Sequence, residues 1–187
     1  MAVLRVLTYG DERLKMTAEP VEGITPEIRQ LIADMGDTMY AAAGIGLAAP
    51  QVGVLKRLFV LDVDQVTEEG KRDGRRRLQV FINPEILWTS EHEEAFTEGC
   101  LSVPGVEAEV YRPDRARVRW RDSDWQEHDE EIDGLLGRVV QHETDHLEGV
   151  LFVDRLGFVR RQTLSGQLRR LRNDREAIVV PTELVTK

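Results

Sequence analysis

Apolar residues recur along the chain in two different periods, and the changes of period outline the elements. Across residues 25–43, Ile28, Leu31, Ile32, Met35 and Met39 follow helical spacing, which predicts an amphipathic helix. Thr25 suits its N-cap, Pro26 its first turn and Gly44 its stop. The following GLAAPQVGV is interrupted by Pro50 and Gly53 and reads as an irregular loop. Leu58 to Val63 reads as a strand, and Leu78 to Ile82 as a second one ending at Asn83-Pro84. Between them, residues 64–77 are charged and poor in apolar residues, which predicts an exposed loop. Residues 106–120 predict two more short strands, with Ala116, Val118 and Trp120 alternating against Arg115, Arg117 and Arg119. The polar DSDWQEHDE stretch predicts a turn or hairpin. Helical spacing returns from Asp133, a candidate cap, to Leu147, with Gly149 as the stop. A last helix covers about 158–174, with Leu164, Leu168 and Leu171 on one stripe. No repeat or linker divides the 187 residues, so the pattern predicts one α+β domain, its C-terminal helix and tail being residues 158–187.

Composition narrows the setting. The single cysteine excludes an internal disulfide framework. No apolar run approaches the length of a membrane span, and the N-terminal MAVLRVLTYGDERL lacks the apolar centre of a signal peptide. The expectation is a cytoplasmic protein with no membrane partner. A formal net charge of −9 disfavours DNA binding through overall electrostatics. The charge is uneven, because Arg155, Arg160, Arg161, Arg169, Arg170, Arg172 and Arg175 crowd the C-terminal segment. They read either as the solvated face of a surface helix or as a docking patch for an acidic partner such as ribosomal RNA.

Chemistry concentrates in His142-Glu143-Thr144-Asp145-His146. Histidines at i and i+4 lie one turn apart on one helix face, so both rings can reach one metal ion. Glu143, beside the first of them, can touch water at the metal without being a ligand. Leu135 and Val139 share the stripe of both histidines and could wall a pocket. A catalytic centre needs a third protein ligand, and residue spacing leaves Cys100, Asp154 and Glu98 all open. Gly44-Ile45-Gly46-Leu47-Ala48-Ala49 matches a dinucleotide fingerprint in letters. A helical pattern precedes it and Pro50 follows, which is the wrong context for that motif, and it is rejected.

Three segments taken in order resemble the peptide deformylases: Gly44-Ile45-Gly46-Leu47-Ala48-Ala49-Pro50-Gln51, Glu98-Gly99-Cys100-Leu101-Ser102 and Gln141-His142-Glu143-Thr144-Asp145-His146-Leu147. The likeness runs from Tyr9-Gly10 through Phe81-Ile82-Asn83-Pro84 to Gly149-Val150-Leu151-Phe152. It implies antiparallel β-sheets packed around a central helix that carries the third motif. It implies Cys100, His142 and His146 as metal ligands, with Fe(II) favoured and Zn, Ni or Co as substitutes. It also implies Glu143 as general acid/base, and Gln51 with the Leu101 N–H as donors to the substrate carbonyl. The reaction implied is removal of the formyl group from N-formylmethionyl nascent peptides by metal-activated water, releasing formate.

For the substrate, the resemblance implies backbone contacts from Ile45, Gly46 and Gly99, with Leu135, Val139 and Phe96 lining a methionine pocket. Glu107 departs from the pattern, since many relatives carry a basic residue near it. Arg112 is placed to pair with Glu98 and brace the cysteine loop. Two other readings remain: an internal peptidase using the same motif, and an idle relative that binds nascent chains or the ribosome.

Overall fold

The computed structural model describes residues 2–65 and 76–173. The first predicted helix forms as α1, Pro26–Ala41, with Pro26 in its first turn. Thr25 Oγ1 accepts the Ile28 N–H at 3.3 Å, satisfying one of the donors a helix start leaves over. The stop differs from expectation. Ala43, not Gly44, takes the left-handed conformation, with φ of 56°. The Ala43 and Gly44 N–H groups close on the Tyr40 and Met39 carbonyls, the paired bonding of a left-handed helix end.

Five strands form one antiparallel sheet in the order β1 (Gly46–Ala48), β2 (Leu58–Leu61), β3 (Gln79–Thr89), β6 (Arg115–Arg121) and β7 (Glu127–Asp133). A separate two-stranded ribbon pairs β4 (Glu93–Gly99) with β5 (Glu107–Pro113). Strand β3 runs on past Asn83-Pro84, where an end was expected. Asn83 takes φ of 51°, and the register with β6 shifts between Ile82 and Glu85. This irregularity admits a proline, which has no N–H to give the ladder. The Asn83 side chain pins the bend by bonding the Val21 N–H and carbonyl at 2.8 and 2.7 Å.

Strands β1, β4 and β7 were hidden in the hydrophobic pattern. β1 lies inside the segment read as a loop, while β4 and β7 are built mainly of charged, exposed residues. The β6–β7 pairing is instead lined by opposite charges, including Arg117–Asp129 at 2.6 Å and Arg121–Glu127 at 2.9 Å, the pairings that stabilise facing strands.

Helix α2, Gly134–Leu147, lies against the five-stranded sheet on one side and bonds to the ribbon on the other. Arg138 donates to the Val110 and Glu94 carbonyls, and Gln141 to the Pro113 carbonyl. Asp133 occupies the N-cap position, but its side chain caps nothing. Gly149 ends the helix as expected, with φ of 70°. Phe59, Phe81 and Trp120 stack in sequence beneath α2, in a core completed by Val139, Val140 and Leu147. Antiparallel sheets therefore surround a central helix, and the fold class is α+β.

Helix α3, Phe158–Asn173, packs Leu164, Leu168 and Leu171 against a cluster containing Tyr9 and Phe152. Residue 174, the expected helix end, Arg175 and most of the 64–77 loop lie outside the described residues. Among those described, no helix is long and apolar enough to cross a membrane.

Candidate active site

Because His142 and His146 sit one turn apart on α2, their rings stand side by side, 5.1 Å between centroids and inclined by 71°. The turn after β4 brings Cys100 to them, with Sγ 3.2 Å from His146 Nε2. One donor atom from each of the three lies within 4.8 Å of the others, the spacing of ligands around a single ion. The Ser102 N–H and Gln51 Nε2 both point at the sulfur from 3.4 Å.

The other candidate ligands are occupied elsewhere. Glu98 Oε2 accepts from His142 Nδ1 at 2.9 Å, which leaves Nε2 for a metal. Asp154 pairs with Lys15 and accepts the Leu151 N–H.

Glu98 anchors a buried polar chain. Arg112, only 1% exposed, donates to both Glu98 oxygens at 2.7 and 2.9 Å and to Asp145 at 2.7 Å. Arg155 grips Asp145 from the other side. The pairing expected between Arg112 and Glu98 is present and extends to Asp145, inside the helix motif. Arg155, which the sequence placed in a basic patch, belongs to this brace.

Charge in the pocket follows from these contacts. Burial works to raise the Glu98 pKa, but the hydrogen bonds from His142 and Arg112 bring it down to about 2. Burial pushes Glu143 up to about 7, and its Oε2 has no partner among the described residues. Burial and the positive neighbours hold the His146 pKa well below its ordinary value, which keeps that ring neutral. Burial likewise opposes a charge on His142, yet the Cys100 sulfur and Glu98 hold its pKa up at about 10. The thiol and two imidazoles, with the unpaired Glu143 oxygen beside them, fit a catalytic metal centre.

A cavity of about 580 Å³ opens over these groups. Ile45, Gly46, Gly99, Leu135 and Val139, named from sequence, all line it, as do Gln51, Leu101 and Phe96. Phe96 is 53% exposed, so it is a wall rather than core. Gln51 Oε1 accepts the Ala48 N–H at 2.8 Å, which turns Nε2 toward Cys100 and Ser102 Oγ. The Leu101 N–H has no acceptor among the described residues.

Three participants were missed from sequence. Ser102 and Asp145 lay inside the motifs unremarked. Arg138 lines the cavity, lies 3.3 Å from Glu98 and sits over the Phe96 ring. Its place four residues before His142 was the available signal.

Known proteins resemble this chain in sequence and fold. The sequence model of the polypeptide deformylase family matches residues 3–162. A peptide deformylase of Rhizorhabdus wittichii is 46% identical over 177 residues, covering 95% of this chain and 99% of that protein. One from Zymomonas mobilis is 47% identical, covering 93% and 99%. Among solved structures, a peptide deformylase from Legionella pneumophila superposes with a TM-score of 0.80 at 40% identity, covering 92% and 96%. That of Ehrlichia chaffeensis in complex with actinonin gives 0.81 at 37%, covering 95% and 100%. With identities of this size along nearly the full length of both chains, this protein belongs to the polypeptide deformylase family.

Proposed function

We propose that this protein removes the formyl group from the N-terminal formylmethionine of newly made polypeptides, releasing formate and a free amine. The observation that carries the reading is the convergence of Cys100, His142 and His146 beside a buried, unpaired Glu143 oxygen at one cavity. Cys100 Sγ and one ring nitrogen from each histidine would hold the metal, Fe(II) being favoured by resemblance and Zn, Ni or Co accepted by the same donors. When bound, the ion supplies Lewis-acid polarisation of water and of the formyl carbonyl.

The remaining work belongs to the protein. Glu143 takes the proton of the attacking water and returns it to the leaving amine. The Leu101 N–H is available to the oxyanion that forms when water adds to the formyl carbon. Gln51 is oriented to join it, sharing the hydrogen now directed at Cys100 Sγ over a long 3.4 Å contact. The resulting tetrahedral species collapses with loss of the amine.

Binding of the peptide is supported by two open strand edges. Among the described residues, β1 pairs only with β2, and β4 only with β5, and Gly46 and Gly99 at their ends both line the cavity. An extended peptide laid between them would bond to both edges, placing its methionine against Leu135 and Val139. The substrate class supports a cytoplasmic location. Docking on ribosomal RNA through Arg160, Arg169 and Arg170 is proposed with it, since these stay exposed on α3 while Arg155 and Arg172 are engaged elsewhere.

The test is formate release from a short formyl-Met peptide, with protein prepared without oxygen and loaded with Fe(II) or Ni(II). Turnover that disappears in Glu143→Ala, with metal content retained, supports both the reaction and the base. No turnover by the metal-loaded wild type sinks the proposal. Co-sedimentation with ribosomes that survives charge reversal of Arg160, Arg169 and Arg170 would exclude the docking patch.

A further inference from the structure

The charges lining the active-site cavity fall into two groups. Glu98 is paired by direct contacts with Arg138 and His142, and Glu143 lies buried beside the cluster of candidate metal-ligating atoms. Glu107 is different. It lines the cavity, is exposed, and pairs with no cation among the described residues.

Strand register fixes its place. Glu107 on β5 lies directly opposite Gly99 on β4, so both face the same side of the ribbon. Gly99 presents no side chain, and the Glu107 carboxylate reaches across the space. A Cβ built on Gly99 would lie 3.5 Å from Glu107 Cγ and 4.0 Å from Oε1. Two residues further along β5, Glu109 faces Thr97 on the same side and is also exposed. The rim beyond Gly99 thus carries Glu107, with Glu109 outside the cavity on the same face of the ribbon, while the opposite rim at Ala43, Gly44 and Ile45 carries no charge.

We infer that Glu107 selects substrates carrying a lysine or arginine in the two residues that follow the formylmethionine. The inference rests on the deformylase reading, which puts the peptide between the β1 and β4 edges with methionine directed inward. In an extended chain successive side chains alternate in direction. The residues after methionine therefore pass Gly99 and present one side chain to the Glu107 side of the ribbon. A cation there gains attraction from Glu107 and Glu109, and an anion meets repulsion, both weakened by solvent exposure. Glu107 lies apart from the reacting atoms, so the preference acts through binding and appears in KM rather than kcat.

The test compares formyl-Met-Ala-Lys-amide with formyl-Met-Ala-Glu-amide, and formyl-Met-Lys-Ala-amide with formyl-Met-Glu-Ala-amide, using metal-loaded full-length protein at low salt. The expected lysine-over-glutamate ratio in kcat/KM is about three- to tenfold in at least one pair, the size of an exposed charge interaction. It should shrink when ionic strength approaches about 1 M, where screening acts within about 3 Å. Glu107→Gln should bring the ratio toward one, and Glu107→Lys should invert it. A ratio near one in the wild type, or one that Glu107→Gln and Glu107→Lys leave unchanged, overturns the inference while the deformylase reading stands. Absence of turnover with every peptide overturns that reading and the inference with it.

Discussion

Gly46 on β1 and Glu143 on α2 meet so closely that a methyl group on Gly46 would overlap Glu143 Oε1 and lie 2.9 Å from Cδ. The carboxyl group is buried, so it cannot yield by turning into solvent. The strand edge assigned to the peptide and the proposed proton carrier therefore define each other's positions.

Gly46→Ala should displace the Glu143 carboxylate without touching Cys100, His142 or His146. A misplacement of about 1 Å in a reacting group costs on the order of a hundredfold in rate, and kcat should fall by about that much. Metal content, read by elemental analysis, should stay at the wild-type level. Loss of metal along with activity would show that the close approach supports the ligand cluster instead.

Arg112 should be required for more than local packing. Its removal leaves Glu98 and Asp145 buried without their shared cation, and such losses run to about 3–5 kcal/mol. Arg138 and Arg155 still contact the two acids, which places Arg112→Ala toward the lower end. Because Glu98 orients the His142 ring, metal affinity should fall about 10–100-fold as well. Arg112→Lys should rescue little, since a lysine cannot match the paired bonds to Glu98. Unchanged metal content and turnover in Arg112→Ala would exclude the bracing role.

Gly149→Ala tests how α2 is terminated. The position has φ of 70°, which costs an L-residue about 1–2 kcal/mol. An added Cβ would also lie 2.5 Å from the Lys15 carbonyl oxygen. The urea midpoint should drop by more than the conformational cost alone predicts, with an unchanged denaturant slope. A shift below about 0.5 kcal/mol, the range of ordinary surface changes, would contradict this geometry.

Removal of metal by a chelator should abolish turnover and lower the melting temperature together, because an ion bound only by the folded state stabilises it by mass action. At a hundred times its dissociation constant that contribution is about 2.7 kcal/mol. Restoring Ni(II) should recover both, while Cys100→Ala should show neither response. A melting temperature indifferent to chelator, in protein shown to hold metal beforehand, would contradict the coupling.

Elements whose stability comes from a one-sided apolar face were legible from residue order. α1 and α2 bury repeating stripes, and β6 buries Ala116, Val118 and Trp120 while exposing Arg115, Arg117 and Arg119. Strands β4 and β7 carry little apolar pattern because cross-strand charges and backbone bonds hold them, and those partners are fixed only when the sheet assembles. Continuation of β3 through Pro84 was equally hidden, since it depends on Asn83 reaching Val21, 62 residues away in sequence.

The sequence by itself determined the pair His142 and His146 with Glu143 between them, because helical geometry carries spacing directly into space. Resemblance, rather than spacing, singled out Cys100 over Asp154 and Glu98. Only the tertiary structure decided how those three are used: Cys100 at the histidines, Glu98 behind His142, and Asp154 engaged with Lys15. It alone set Glu107 across from Gly99 and carried Arg155 into the buried brace. These placements join residues far apart in the chain, and no local period encodes a contact that a β-register or a folded turn must create.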